Sequence, residues 1–151
     1  MPKILVALTL LALSTPLFAK DPFAGTWKLN AEKSRYTAGT KPSDVTIVIE
    51  DQGNTIQVTA TGTYADSSPL SVKYTMPAQG GQGTPEQGDF DAITAKMIND
   101  HVRELRYMKN GQELRTRRLV VSKDGKTMTT TVNGTDPKGN KLAGTDVFDR
   151  Q

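Results

Sequence analysis

The sequence predicts an all-β fold: an antiparallel up-and-down meander of about eight to ten strands closing into a barrel, with one short helical turn after the first strand. Three observations carry this prediction. Apolar and polar residues alternate with period two in segment after segment. Turn signals rich in Gly, Asn, Asp and Pro separate those segments at short intervals. No helical period of useful length occurs anywhere in the chain.

The first 19 residues are read as a secretory signal rather than as fold. Lys3 supplies one positive charge, Ile4–Leu13 is apolar except for Thr9, and Ser14-Thr15-Pro16 breaks the run. Leu17-Phe18-Ala19 then offers a cleavage site before Lys20. The alternative is an uncleaved interfacial anchor. The apolar stretch is too short to cross a hydrocarbon core of ~30 Å as a helix, so no integral span is expected in the mature chain. Removing residues 1–19, which hold one Lys and no acid, leaves 132 residues and lowers the formal charge from +3 to +2. That size suits one domain, residues 20–151, able to bury about two-thirds of its unfolded surface. A charge of +2 gives no argument for nucleic acid as a partner. The absence of Cys excludes disulfides, thiolate metal sites and a lipid-attachment cysteine.

Strands are expected near 25–30, 43–51, 54–64, 69–76, 92–99, 101–109, 112–122, 126–134 and 141–149. After the first, Asn30 is placed to cap a single helical turn over Ala31–Ser34. The second carries Val45, Ile47 and Ile49 in alternation. In the third, Ile56, Val58, Ala60, Gly62 and Tyr64 alternate with Gln57 and three threonines. The fourth sets Leu70, Val72, Tyr74 and Met76 against Ser71, Lys73 and Thr75. Pro77–Asp91, with four Gly and two Pro, is expected as a loop, either plainly flexible or gating a ligand. Asp89 and Asp91 within it read as turn residues.

The hairpin 101–122 allows a register to be worked out. An Asn110-Gly111 two-residue turn puts Lys109 opposite Gln112. Counting back, Tyr107 meets Leu114, Leu105 meets Thr116, Arg103 meets Arg118 and His101 meets Val120, all on one face. A three-residue Lys123-Asp124-Gly125 turn then adds Val120, Met128 and Val132 to that face and makes it the interior. On this register Arg103 and Arg118, with His101 beside them, point inward. Two facing cations in a dry core cost several kcal/mol. They become tolerable in a wet cavity, or when an internal carboxylate or a bound ligand anion reaches them. A bulge that turns them to solvent is the other way out. Arg106, Arg115 and Arg117, beside Glu104 and Glu113, fall on the outer face as a solvated charged surface.

The opening of the mature chain, Phe23-Ala24-Gly25-Thr26-Trp27-Lys28-Leu29-Asn30-Ala31-Glu32-Lys33-Ser34, contains a Gly-x-Trp on its first strand. It resembles the opening of small secreted bacterial lipocalin-like (calycin) proteins, and Ser122–Thr129 is similar to their late hairpin. The resemblance implies an up-and-down barrel enclosing a small, often apolar ligand. It also implies structural roles for Gly25 and Trp27, with Trp27 at the closed end under an Arg from the last strand, for which Arg150 is the counterpart.

The expected function is therefore an exported, periplasmic or secreted protein that binds a small hydrophobic or amphipathic molecule in its interior. Tyr64, Tyr74, Met76 and Tyr107 would line the wall. An acidic head group is the variant that Arg103, Arg118 and His101 suggest. The alternative is a non-catalytic envelope interaction module using the Arg-rich outer strands, and it predicts a filled interior. No cofactor or metal is expected, since the single His and the missing Asp-x-Asp-x-Asp loop provide no ligand set. No enzymatic activity is expected either, because no nucleophile and base are paired in the sequence.

Overall fold

The computed structural model describes residues 20–136 and 138–151. The expected signal segment and Pro137 of the last turn signal lie outside the described residues.

Among the described residues eleven strands follow one another: β1 Gly25–Leu29, β2 Arg35–Ala38, β3 Pro42–Asp51, β4 Thr55–Tyr64, β5 Pro69–Pro77, β6 Gly81–Gln87, β7 Ala92–Asn99, β8 Val102–Lys109, β9 Gln112–Val121, β10 Thr127–Thr135 and β11 Lys141–Arg150. All pairings are antiparallel, and neighbours from β3 to β11 are sequential. β1 bridges β3 and β11, which closes the sheet into a barrel. β11 is long enough to hold two partners, β1 along its C-terminal half and β2 along its N-terminal half. Closure matters physically because it leaves few unpaired strand edges.

All nine expected strands are present. Two further strands were not expected: β2, Arg-Tyr-Thr-Ala, alternates over only four residues, and β6 has no apolar alternation. β6 reads Gly-Gln-Gly-Thr-Pro-Glu-Gln and lies within the stretch expected to be loop. Its first half pairs with β7 and its second half with β5, with a register shift beside Pro85. Each half thus satisfies a neighbour's ladder, which explains strand structure in a sequence with little intrinsic preference for it.

The expected helical turn is a tight turn instead, and no helix occurs among the described residues. Asn30 does accept from the Lys33 N–H through Oδ1 (3.1 Å), and the Ser34 N–H reaches the Asn30 carbonyl (3.1 Å). The buried Ser34 hydroxyl then accepts from the Val147 N–H (3.0 Å), which draws the chain back onto β11 as β2.

The floor of the barrel is built by the N-terminal segment. Phe23 and Trp27 are fully buried, and the Trp27 indole N–H donates to the Phe23 carbonyl (2.8 Å). Arg150 lies over the Trp27 ring at 4.1 Å and donates to the carbonyls of Pro22, Ala24 and Gly125. Gly25 admits this arrangement, since a Cβ there would sit 2.5 Å from the Arg150 guanidinium. Met128, Val121, Ile49 and Phe148 complete the apolar floor.

Two registers differ from expectation by one residue. At Asn110-Gly111 both residues adopt positive φ and Lys109 faces Gln112, as the type I′ turn requires. Beyond Met108–Glu113, however, Leu114 is an extra residue and Tyr107 pairs with Arg115. From there β9 shows its other face: Arg115, Arg117, Leu119 and Val121 point inward. The Ser122 turn compensates. Ser122 N–H bonds to the Thr127 carbonyl across four residues, not three, so Val121 pairs with Met128. Met128 and Val132 therefore remain buried, as expected.

Candidate functional site

The barrel encloses a cavity of about 440 Å³, within the range of small-molecule pockets. Its walls are mainly apolar. β3 contributes Val45, Ile47 and Ile49; β4 contributes Val58 and Ala60; β5 contributes Leu70, Val72, Tyr74 and Met76. Leu105, Tyr107, Leu119, Met128 and Phe148 close the opposite side. These are the period-two positions of the sequence, brought face to face by closure. Tyr74, Phe90 and Tyr107 form an edge-to-face triad, with centroids 4.9 to 6.2 Å apart, that stiffens one wall. Burial holds the Tyr74 hydroxyl well above the usual phenol range, so it stays neutral.

Three Arg and two Asp side chains also line the cavity, and each Arg has an Asp partner. At the floor, Arg103 is 1% exposed, stacks over the Phe23 ring at 4.0 Å, and donates from Nη2 to both Asp21 oxygens (2.9 and 3.0 Å). Its Nε and Nη1 have no partner. Towards the other end, Arg115 forms a two-armed ion pair with Asp89 and sits 5.2 Å from the Tyr107 ring centroid. Burial pushes the Asp89 carboxyl up, but the Arg115 hydrogen bonds and charge outweigh it and hold Asp89 below the usual range.

The third pair is looser. Arg117 Nη1 lies 3.5 Å from Asp146 Oδ2, and the same oxygen accepts from the Tyr36 hydroxyl (2.9 Å). Asp146 is 1% exposed and its Oδ1 has no hydrogen-bond partner. Burial raises the Asp146 carboxyl above its ordinary value despite Arg117 and Tyr36, which pull it down. Burial likewise raises the hydroxyls of Tyr36 and Tyr64. A vestibule lined by Tyr36, Tyr64, Arg115 and Arg117 adjoins this cluster. It shares Pro42, Tyr64, Pro69, Arg115 and Arg117 with the cavity, so the two adjoin at this end.

Of the residues singled out from the sequence, Tyr64, Tyr74, Met76, Tyr107 and Arg103 all line the cavity. Arg118 does not. The Leu114 bulge places it on the outer face, where it pairs with Glu104 at half exposure. No paired Arg103–Arg118 site for an anion exists, and Arg103 is answered by Asp21. His101 is also absent from the cavity lining. It is half-buried just before β8, with Nδ1 3.2 Å from the Val121 carbonyl. Arg115 and Arg117, expected on the solvated face, are inside for the same register reason. Arg106 does lie outside, paired with Glu113.

Sequence reasoning missed Asp21, Tyr36, Asp89, Phe90 and Asp146. Asp146 carried a usable signal, because it shares the period-two face of Phe148 on the last strand. Asp21 and Asp89 had none, since Asp21 precedes the first strand, Asp89 sits in a connection, and they meet their arginines 82 and 26 residues away. Among the described residues no cluster of three or more His, Asp or Glu gathers as a metal site, and no helix is long and apolar enough to cross a membrane.

No family model matches the chain, and no curated protein matches it. Among solved structures, a redesigned beta barrel, mFAP1, bound to DFHBI is 14% identical with a TM-score of 0.45, over 85% of this chain and 95% of that one. EF1p2_mFAP2b bound to DFHBI is 12% identical with a TM-score of 0.47, over 86% and 94%.

Proposed function

We propose that this chain is an exported, lipocalin-like binding protein that holds one small hydrophobic or amphipathic molecule inside its barrel, without catalysing a reaction on it. The observation that supports this reading is the cavity of about 440 Å³ lined by apolar side chains from strands on both sides of the barrel. An apolar chamber of this size rewards any ligand that removes its own apolar surface from water, at ~25 cal/mol per Å². Because Arg103, Arg115 and Arg117 each have an Asp partner, the interior does not call for an acidic ligand. The interaction-module reading requires a filled interior, and the cavity argues against it.

A titration with the neutral fluorescent dye N-phenylnaphthylamine tests the proposal. Wild type should enhance its emission saturably. Ala60→Trp, which adds an indole to the cavity wall, should abolish the enhancement while leaving the β-sheet circular dichroism intact. Equal dye binding by the folded variant and wild type would place the dye elsewhere and remove the proposal. Native mass spectrometry of protein recovered from its host envelope, with and without Ala60→Trp, then identifies the natural ligand by its mass.

A further inference from the structure

The Arg117–Asp146 pair differs from the other two inside the barrel. Asp21 and Asp89 each use both carboxylate oxygens on their arginine. Asp146 places the Tyr36 hydroxyl and Arg117 on the same oxygen, Oδ2, and leaves Oδ1 with nothing. An acceptor without a donor in a buried position is costly, and native structures seldom retain one without a use. Arg117 is also lightly used: it meets Asp146 only at a long 3.5 Å, and its side chain is 22% exposed.

The chain spends specific residues on keeping Asp146 in this state. Tyr36 stands opposite Gly144 across the β2–β11 ladder, and a Cβ at Gly144 would lie 2.5 Å from the Tyr36 ring. A glycine there lets the ring lie flat across β11, so that its hydroxyl reaches Asp146 two residues on. Tyr36 therefore holds Oδ2, and with it the orientation of the carboxylate. The position is on the cavity wall: Asp146, Arg117 and Thr130, the cross-strand partner of Asp146, all line it.

We infer that Asp146 and Arg117 together recognise the uncharged head of an amphiphile that offers a hydrogen-bond donor and acceptor side by side, a primary amide or an alcohol, and discriminate against a carboxylate. The donor goes to Asp146 Oδ1 and the acceptor to the Arg117 guanidinium, while the chain lies along the apolar wall. A carboxylate head has no proton for Oδ1 and brings a second negative charge beside Asp146 in a medium of low dielectric. This inference rests on the interior being a binding chamber.

Displacement of bound N-phenylnaphthylamine by dodecanamide and by dodecanoate, two ligands of equal chain length, tests it. Wild type should favour dodecanamide by about tenfold or more, the size of one hydrogen bond to a charged group. Asp146→Asn removes the charge and leaves Arg117 without a counterion, so the preference should swing towards dodecanoate. Tyr36→Phe, which frees Oδ2, should narrow the preference without reversing it. If wild type binds the dye and both amphiphiles but favours dodecanoate, or favours neither, the inference fails and the chamber reading stands. If Asp146→Asn folds and leaves the ratio unchanged, the inference also fails. If the folded wild type takes up neither dye nor amphiphile, both readings fail together. Should Asp146→Asn not fold, the wild-type ratio decides alone.

Discussion

Removing Asp21 should destabilise the barrel more than removing the arginine it holds. Arg103 is 1% exposed, and Asp21, at 12%, is the carboxylate that meets it. Two of the guanidinium nitrogens already lack partners, so no other group stands ready to take over. Asp21→Ala strands a cation at the floor, and breaking a buried pair from one side costs about 3–5 kcal/mol. Arg103→Met keeps most of the volume but leaves Asp21 unpaired; at 12% exposure that carboxylate keeps some contact with water, which the 1% exposed guanidinium lacks, so its cost is smaller. Against this stands the lost stacking on Phe23, on the order of 1 kcal/mol. Arg103→Met should therefore cost less than Asp21→Ala, and Asp21→Ala with Arg103→Met, which removes both charges, should recover most of what Asp21→Ala loses. For a domain of this size the single Asp21→Ala change corresponds to a Tm drop of roughly 10–20 °C. The assay is urea unfolding of the chain from Lys20 onward, followed by circular dichroism and by Trp27 emission, with all four members of the cycle. An Asp21→Ala cost under about 1 kcal/mol, or an Arg103→Met cost exceeding it, would refute the reasoning, because the floor would then not be a desolvated site.

Three further outcomes follow from the same structure. Trp27→Ala, which empties the floor and frees the Phe23 carbonyl and Arg150, should cost about 3–5 kcal/mol in urea unfolding. Gly144→Ala forces a Cβ into the Tyr36 ring and should cost about 1–3 kcal/mol, read as a lowered thermal midpoint that Tyr36→Ala in the same chain partly restores. Asp89 is held below its ordinary value in the folded state, so its stabilisation is full above the unfolded carboxyl value of ~4 and is lost as pH falls through the folded one. Urea midpoints measured across that acid range should fall less steeply for Asp89→Asn than for wild type.

The exchange of faces on β9 traces to Leu114. A two-residue turn at Asn110-Gly111 is strongly encoded, because both residues tolerate positive φ. Nothing local marks Leu114 as the bulge residue. The bulge is selected by what it achieves at a distance: it turns Arg115 towards Asp89 and Arg117 towards Asp146, and it releases Arg118 to Glu104 on the surface. Gly134 opposite accepts it, since a Cβ there would lie 2.2 Å from the Leu114 carbonyl. Without the bulge, Arg118 would face inward, and Arg115 and Arg117 would turn away from Asp89 and Asp146.

The sequence by itself determined the strand class, nine of the strands and the two-residue turn at Asn110-Gly111, while the cover of Arg150 over Trp27 was implied by the family resemblance. The strands and the turn are properties of near neighbours: side-chain alternation and turn conformation. Only the tertiary structure decided which arginines face the cavity, that Gly81–Gln87 becomes a strand, and that Asp21, Asp89 and Asp146 are the interior counterions. The physical reason is the same in each case. A period of two tells the faces of a strand apart but does not say which is inside, and a single extra residue exchanges them. That choice is made by the energy of burying charge, and the partners that neutralise it meet only when the barrel closes.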